Sequence, residues 1–404
     1  MESVQTQIQN KDGNQNVAQQ EQPHDVGFLY TWGMNSGGCL ANQKEDQGEI
    51  IPFKVKINQK FKSVSTGGFF GAAISSKNEL YTWGETKNGR NGHQPNQNVI
   101  LVPQKIINLQ NISQVSCGNW HCLALNNQNQ LYVTGHNKYG SCGLSGIDEI
   151  NGFKLNDTIK DIQICSISAG DGFSLYLDIN KQVYSSGFRQ MHGNKEDQHQ
   201  HQIKKIKQLE GIAIKNINAG FCHAAVVTQE GGEVYTWGSG NFYQLGHGNT
   251  KSLKTPQKIN NLSGIEQVSC SRGEKYCHTT ATSSDGRVYS WGSGYKGKLG
   301  HQDSWTHEDP ADESRPRPIQ YLQDKGIIIA KSISGGIHSA VLSKDGRLFT
   351  FGCGSNGRLG HIEAEKYVYL YREPFPREIQ GPFLNNKIID ACSSYYFMAA
   401  IAES

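Results

Sequence analysis

Histidine and cysteine are the residues here with the most chemistry to offer. Four histidines close a Gly-His or Leu-Gly-His step: His93, His247, His301 and His361. Four more stand at the end of a second recurring segment: His121, His223, His278 and His338. Ten cysteines run from Cys39 to Cys392. A zinc site or a nucleophilic centre needs several such groups converging on one point. These groups instead recur once per unit of sequence, which predicts a structural role, with the histidines hydrogen-bonding backbone inside each unit. The cysteines lack short-spaced ligand pairs and read as small buried thiols of a reducing compartment rather than disulfides or metal ligands. The glycine-rich run GSGYKGKLG at 292–300 lacks the strand-loop-helix context of a phosphate cradle. No Ser-His-Asp or paired-carboxylate site is assignable. The expectation is therefore no catalytic residue, no cofactor and no metal.

The elements that carry these residues follow from one repeated pattern: an aliphatic residue, an aromatic one, two more, then Gly. The copies are LYTWG (29–33), LYTWG (80–84), LYVTG (131–135), VYSSG (183–187), VYTWG (234–238), VYSWG (288–292) and LFTFG (348–352). Their terminal glycines are 51, 51, 52, 51, 54 and 60 residues apart, a regularity chance does not produce. Loops ending in Gly-His follow the strand, as in NGRNGH (88–93) and YKGKLGH (295–301). A Pro comes next in five units: Pro52, Pro103, Pro256, Pro318 and Pro376. Segments such as VSCGNWHCLAL (115–125) and ISGGIHSAVL (333–342) complete the unit.

Asp285-Gly286, Asp345-Gly346 and Gly231-Gly232 sit between β-rich runs, as hairpin turns with positive φ require. β-Branched and aromatic runs suit half-buried strands, and Pro at a strand's first residue costs no ladder bond. Helical periodicity is nowhere sustained. Four short strands in about 51 residues, seven times over, predict an all-β seven-bladed propeller of four-stranded blades. The kelch propeller has a similar period.

The G-x-L-G-H loop, the A-G-x-x-H segment and the Y-x-W-G strand together resemble the regulator-of-chromosome-condensation repeat, over about residues 27 to 403. That family includes a guanine-nucleotide exchange factor for the GTPase Ran that also docks on nucleosomes, a plant ultraviolet photoreceptor, ciliary proteins, and propellers fused to ubiquitin ligases and kinases. The resemblance implies the fold and leaves the function to be argued from the site. The photoreceptor relative carries a dense Trp cluster on Gly-Trp-Arg-His-Thr segments. Only Gly118-Asn119-Trp120-His121 approaches that here, so the photoreceptor reading is set aside. Trp32, Trp83, Trp237, Trp291 and Phe351 are expected to pack blades.

The first LYTWG strand has no partner before it, and IIDACSSYYFMAA (388–400) resembles half a unit. The first strand should therefore complete the last blade and close the ring, removing an exposed edge. The Asp-Gly turns then lie on one face, and the Gly-His and GxxH loops on the other. Three segments of that loop face are enlarged: 270–278, 301–318 and 361–376. They carry interface-type residues, namely Arg272, Tyr276, Trp305, Tyr367, Tyr369, Tyr371 and Arg372. They also carry an acidic group suited to a basic partner, namely Asp303, Glu308, Asp309, Asp312 and Glu313. These twelve are the candidate partner-binding residues.

Residues 1–25 hold seven Gln and three Asn with almost nothing to bury, and are expected to be a disordered tail ahead of a propeller domain over 26–404. The net charge of +3 gives no footprint for direct nucleic-acid binding. No apolar run reaches membrane-spanning length and the N-terminus lacks a signal- or transit-peptide pattern. The expected setting is intracellular, cytoplasmic or ciliary rather than nuclear. The expected function is a non-enzymatic scaffold for protein partners, with a small GTPase and a cytoskeletal assembly as the classes considered. The alternative is nucleotide exchange on a Ran-like GTPase, which works by differential binding. A ligase or kinase accessory subunit acting in trans is a third reading.

Overall fold

The computed structural model describes residues 25–94, 97–302, 309–367, 371–383 and 386–403. The expected disorder of the tail falls on residues that, Asp25 apart, lie outside this set. Among the described residues the chain forms seven four-stranded antiparallel sheets, which are the seven blades of the predicted propeller. Blade 1 comprises Phe61–Thr66, Phe70–Ser75, Leu80–Glu85 and Val99–Lys105. Blades 2 to 6 follow in chain order, opening at Ile112, Ile164, Ile214, Ile265 and Ile329.

Blade 7 is assembled from both ends of the chain. Ile388–Ser393 and Phe397–Ala402 pair with Phe28–Gly33 and Glu49–Lys54. The register runs from Phe28 opposite Ala402 to Gly33 opposite Phe397. The ring closure read from the sequence is therefore present, with two strands contributed by each end. Gly27 and Phe61 exchange backbone hydrogen bonds between blades 7 and 1.

Each part of the repeat has a packing duty. The second strand of every blade is buried along its whole length, as in HCLALN of 121–126 and FMAAIA of 397–402. It is covered on both faces by neighbouring sheets, and small residues let those sheets approach. The Ser of the VSxG strand joins blades. Ser65 Oγ accepts from Cys117 N, Ser116 Oγ from Ala169 N, Ser168 Oγ from Ala219 N and Ser269 Oγ from Ser334 N, at 2.9 to 3.0 Å. Innermost-strand N–H groups are thereby satisfied around the ring. The terminal Gly of each aromatic strand has positive φ. At Gly135 (φ +108°) a Cβ would sit 2.5 Å from Trp120 O, so no side chain fits.

Trp83, Trp237 and Trp291 donate Nε1–H to Cys39 O, Met191 O and Gln244 O in the preceding blade at 2.8 to 2.9 Å. Blade 3 has Ser186 in place of the Trp. There Tyr176 Oη, from the neighbouring strand, reaches Ser141 O at 3.4 Å, the carbonyl at the matching loop position.

Two sequence expectations need correcting. The prolines lie inside the outermost strands rather than at their first residues. Pro52, Pro103, Pro256 and Pro376 sit beside the register shift of that strand, where an edge and a bulge both spare the missing N–H. In blade 5 the matching residue is Pro316, since Arg317 opposes Ser290 as Gln104 opposes Thr82; Pro318 is two positions too late. The histidine expectation holds only in part: His301 Nε2 approaches Ser290 O of its own blade at 3.4 Å, but most of the partners are hydroxyls. His121, His223, His278 and His338 bond through Nε2 to hydroxyls of the next blade: Ser174, Thr279, Ser339 and Ser393, at 2.7 to 2.8 Å. His247, His301 and His361 stay within their blade but meet the Oγ of Thr236, Ser290 and Thr350 at 3.0 Å. Burial holds His121, His223 and His361 down to about 3 and His301 to about 4. They are neutral struts.

Candidate partner-binding face

The antiparallel order of each blade places the GxxH turns and the Gly-His loops on one face. Its centre is closed. Arg272, on the enlarged loop of blade 5, extends across the mouth of the central channel. Its Nη1 donates to Ala169 O at 2.8 Å and approaches Cys117 O at 3.5 Å, on blades 3 and 2. Its own backbone N–H donates to Gly335 O of blade 6. The guanidinium thus ties together strand ends that repeat packing alone would leave facing an empty axis.

Four residues on, Tyr276 is 38% exposed and takes a positive φ of 57°. Its ring stacks on Tyr295 at 4.2 Å and 16°, with Phe242 at 5.8 Å. Beneath lies Lys298, fully buried, with Nζ donating to Tyr295 O at 3.2 Å and sitting within 6 Å of both tyrosine rings. Burial pulls its ammonium down to about 7, against the nearby Asp312, Cys277 and Asp309. Blades 1 and 6 carry Arg90 and Arg358 in the same loop slot. Both are buried, each bonded through Nε to the carbonyl three residues back at 2.9 Å. Arg90 lies 4.3 Å from the Trp120 ring centre, and Arg358 Nη1 reaches Tyr395 O at 3.2 Å. A buried cation recurs in this slot in three blades, and in two of them, at Arg90 and Lys298, it lies against an aromatic ring. The sequence signal is the Gly-Arg or Gly-Lys step before the Gly-His, which is not among the twelve candidates.

The other candidates divide. Asp309 pairs with Arg372 at 2.6 Å and accepts from Lys296 N. Asp312 accepts from Gly294 N, and Glu313 pairs with Arg317 at 2.6 Å. Tyr371 is buried and donates to Glu373 Oε1 at 2.5 Å. Arg377 binds Glu373 and Glu363. Much of the charge in the enlarged loops therefore folds the loops themselves. Asp303, Trp305, Glu308 and Tyr369 lie outside the described residues; Tyr367 ends the short helix Ala364–Tyr367. Tyr276 is the candidate that is presented outward on a fixed support.

Beside it on the same face is a cleft of ≈ 660 Å³, formed mainly by blades 2 to 4 and bordered by Lys87 and Asn88 of blade 1 and by Glu274 of the enlarged blade 5 loop. It is lined by Trp120, Tyr139, Phe188, Phe221, Met191 and Cys222, among others. Tyr139 meets Phe188 at 5.5 Å and His199 at 4.8 Å. Burial raises the Asp171 carboxyl, opposed by hydrogen bonds from Asn119 and Trp120. Among the described residues no three His, Cys, Asp or Glu side chains are grouped to hold a metal ion. No described helix is long and apolar enough to cross a membrane.

The repeat seen in strands, struts and loops matches a known family over nearly its whole length, because the model of the RCC1-like domain covers residues 29–400. This chain belongs to the RCC1-like domain family. Among its relatives, the human E3 ubiquitin-protein ligase HERC2 is 27% identical over 390 residues, 92% of this chain. The chain spans only 8% of that protein's length. The ultraviolet-B receptor UVR8 of Arabidopsis thaliana is 25% identical over 82% of this chain and 74% of that protein. The crystal structure of Prp20p from Saccharomyces cerevisiae, reported with its binding to Gsp1p and histones, superposes with a TM-score of 0.80. It is 17% identical, covers 94% of this chain and 92% of that one, and shares the fold.

Proposed function

We propose that this RCC1-like propeller is a non-enzymatic interaction module that holds a protein partner on the loop face of blades 4 to 6, in a cytoplasmic or ciliary assembly. The observation that carries the reading is the Tyr276–Tyr295 stack, with Phe242 beside it and Lys298 beneath. Exposed aromatics on a rigid support lose little entropy on binding and are typical anchors. Asp309 and Asp312, in the described part of the loop after His301, bond the backbone on either side of Tyr295, and the Asp309–Arg372 pair holds that approach in shape. Arg272 fits a positioning role, closing the channel so that the partner meets a continuous surface.

The test is capture of a partner by the full chain, followed by direct binding measurements with purified components. Retention by wild type and loss with Tyr276→Ala, at unchanged melting temperature, supports the reading. Equal retention overturns it. Exchange on a Ran-like GTPase is the second reading, since Prp20p, reported to bind Gsp1p, superposes over 94% of this chain. Release of a fluorescent GDP analogue from Ran and a panel of small GTPases separates the two. Acceleration of one of them by this protein makes it an exchange factor; no acceleration beside an active control leaves the scaffold.

A further inference from the structure

Cys222 lies in the GxxH turn of blade 4 and Cys277 in the enlarged loop of blade 5. Their sulfurs are 2.9 Å apart, against a covalent bond of about 2.05 Å. The two residues belong to different blades, so this approach is a product of the fold and not of sequence neighbourhood. Cys222 lines the aromatic cleft, whereas Cys277 is fully buried. Gln244 Nε2 donates to Cys222 Sγ at 3.5 Å. Cys277 Sγ approaches Gly273 O and Glu274 O at 3.2 and 3.5 Å. Cys222 is thus partly buried at the cleft wall, and Cys277 is held fully buried behind it.

We propose that Cys222 and Cys277 form an oxidisable thiol pair, closed to an inter-blade disulfide by a peroxide reaching Cys222 through the cleft. Cys222 sulfur attacks a peroxide oxygen, the O–O bond breaks, and the departing hydroxide takes the Cys222 proton and leaves as water. Cys222 is then a sulfenic acid. Cys277 sulfur attacks it, the S–O bond breaks, and the second hydroxide takes the Cys277 proton and leaves as water. The pair loses two protons and two electrons, and hydrogen peroxide becomes two waters.

The surroundings favour the second step and slow the first, because attack on the peroxide needs the Cys222 thiolate. Hydrogen bonds from Cys222 and Ser271 and the charge of Lys298 lower the Cys277 thiol, while its hydrogen bond to Cys277 and burial raise Cys222. The resolving sulfur is thus the better thiolate. The bond would tether the 271–277 segment, and with it Tyr276, to blade 4. Cys117 and Cys122 supply an internal control. They face each other at 3.7 Å, and both are fully buried, with no opening to solvent.

The experiment is non-reducing peptide mapping of the full chain after brief exposure to hydrogen peroxide. The expected result is a Cys222–Cys277 linked peptide, about 2 Da lighter than its reduced halves together, reversed by dithiothreitol. Cys277→Ser should leave Cys222 as a sulfenic acid trapped by dimedone, with no link. Because wild type alone yields the linked peptide, a poorly folded variant does not weaken the test. Two thiols that both remain alkylatable, a link confined to Cys117–Cys122, or separate sulfinic acids would each overturn the proposal. This outcome does not depend on whether any partner docks at Tyr276.

Discussion

Blades 2 and 3 and blades 5 and 6 use the same repeat to opposite ends on one face. In blades 2 and 3 the consensus Trp is Thr134 or Ser186, the loops are short, and an aromatic cleft is left open. In blades 5 and 6 the consensus aromatic remains buried as Trp291 and Phe351, and the loops are long. Their charges are spent on Arg372–Asp309 and on Arg377 with its two glutamates. Drift within the blade is absorbed by a neighbouring side chain, as Tyr176 shows. Growth outside the blade has to build its own support before it can present anything. An enlarged loop is therefore a poor guide to which of its residues meet a partner, and a good guide to where a new surface has been made.

Both halves presuppose a closed ring, and opening it should have the largest effect. Deleting residues 27–34 removes the strand between Phe397–Ala402 and Glu49–Lys54 and exposes two sheet edges. A markedly lower melting temperature is expected; an unchanged melt would mean that closure lies elsewhere. Next in size is the inter-blade bond. Trp291→Ala removes a fully buried ring and its bond to Gln244 O, and should cost about 3–5 kcal/mol. Tyr176→Phe, in the drifted half, should cost about 1 kcal/mol, because Ser141 O keeps its 2.7 Å bond from Ser174 Oγ. Comparable losses in denaturant titrations would erase the distinction between the halves.

Acid sharpens it further. His278 and His338 link blades 5, 6 and 7, whereas blade 3 has Phe173 in that slot and no such link to blade 4. The folded pKa of these histidines lies below the ordinary 6.5, so the unfolded chain binds more protons as pH falls. Their contribution is full above about pH 6.5 and is lost as pH falls below it. Hydrogen exchange should rise first at the joints between blades 4 and 7 when pH is lowered from 6.5 to 4, and the blade 3–4 joint should lag. Uniform opening of all joints would contradict this. The smallest effect is expected for Arg372→Gln. It breaks an ion pair between the buried Arg372 and the exposed Asp309 and should lower stability by roughly 0.5 kcal/mol, read as a small shift in the thermal melt.

The strands were legible because a strand buried on both faces, such as HCLALN, tolerates few residue types, and because a glycine at Gly135 is dictated by Trp120 O. Ring closure was legible because the leading LYTWG has a complementary half-unit at 388–400. The histidine partners were not, since Ser174 and Thr279 lie more than fifty residues away and only the angle between blades brings them to His121 and His223. The prolines were misplaced by local rules that place Pro at strand starts, while the blade puts it on an outer edge. At the site, residue type made Tyr276 a candidate anchor. It could not separate Tyr276 from Tyr371, because the burial of Tyr371 follows from its bond to Glu373 within the loop. Arg272 looked like a surface contact and is the plug of the channel. Its reach to Ala169 O is a property of ring diameter, which no single unit encodes.

The account rests on Tyr276 being the anchor and the cleft being secondary. The direct measurement is the affinity of the captured partner for wild type, Tyr276→Ala and Tyr139→Ala, side by side. A loss of roughly thirtyfold or more for Tyr276→Ala, about 2 kcal/mol, with Tyr139→Ala near wild type, is the predicted result. The reverse order would place the partner in the cleft of blades 2 to 4 and contradict the account.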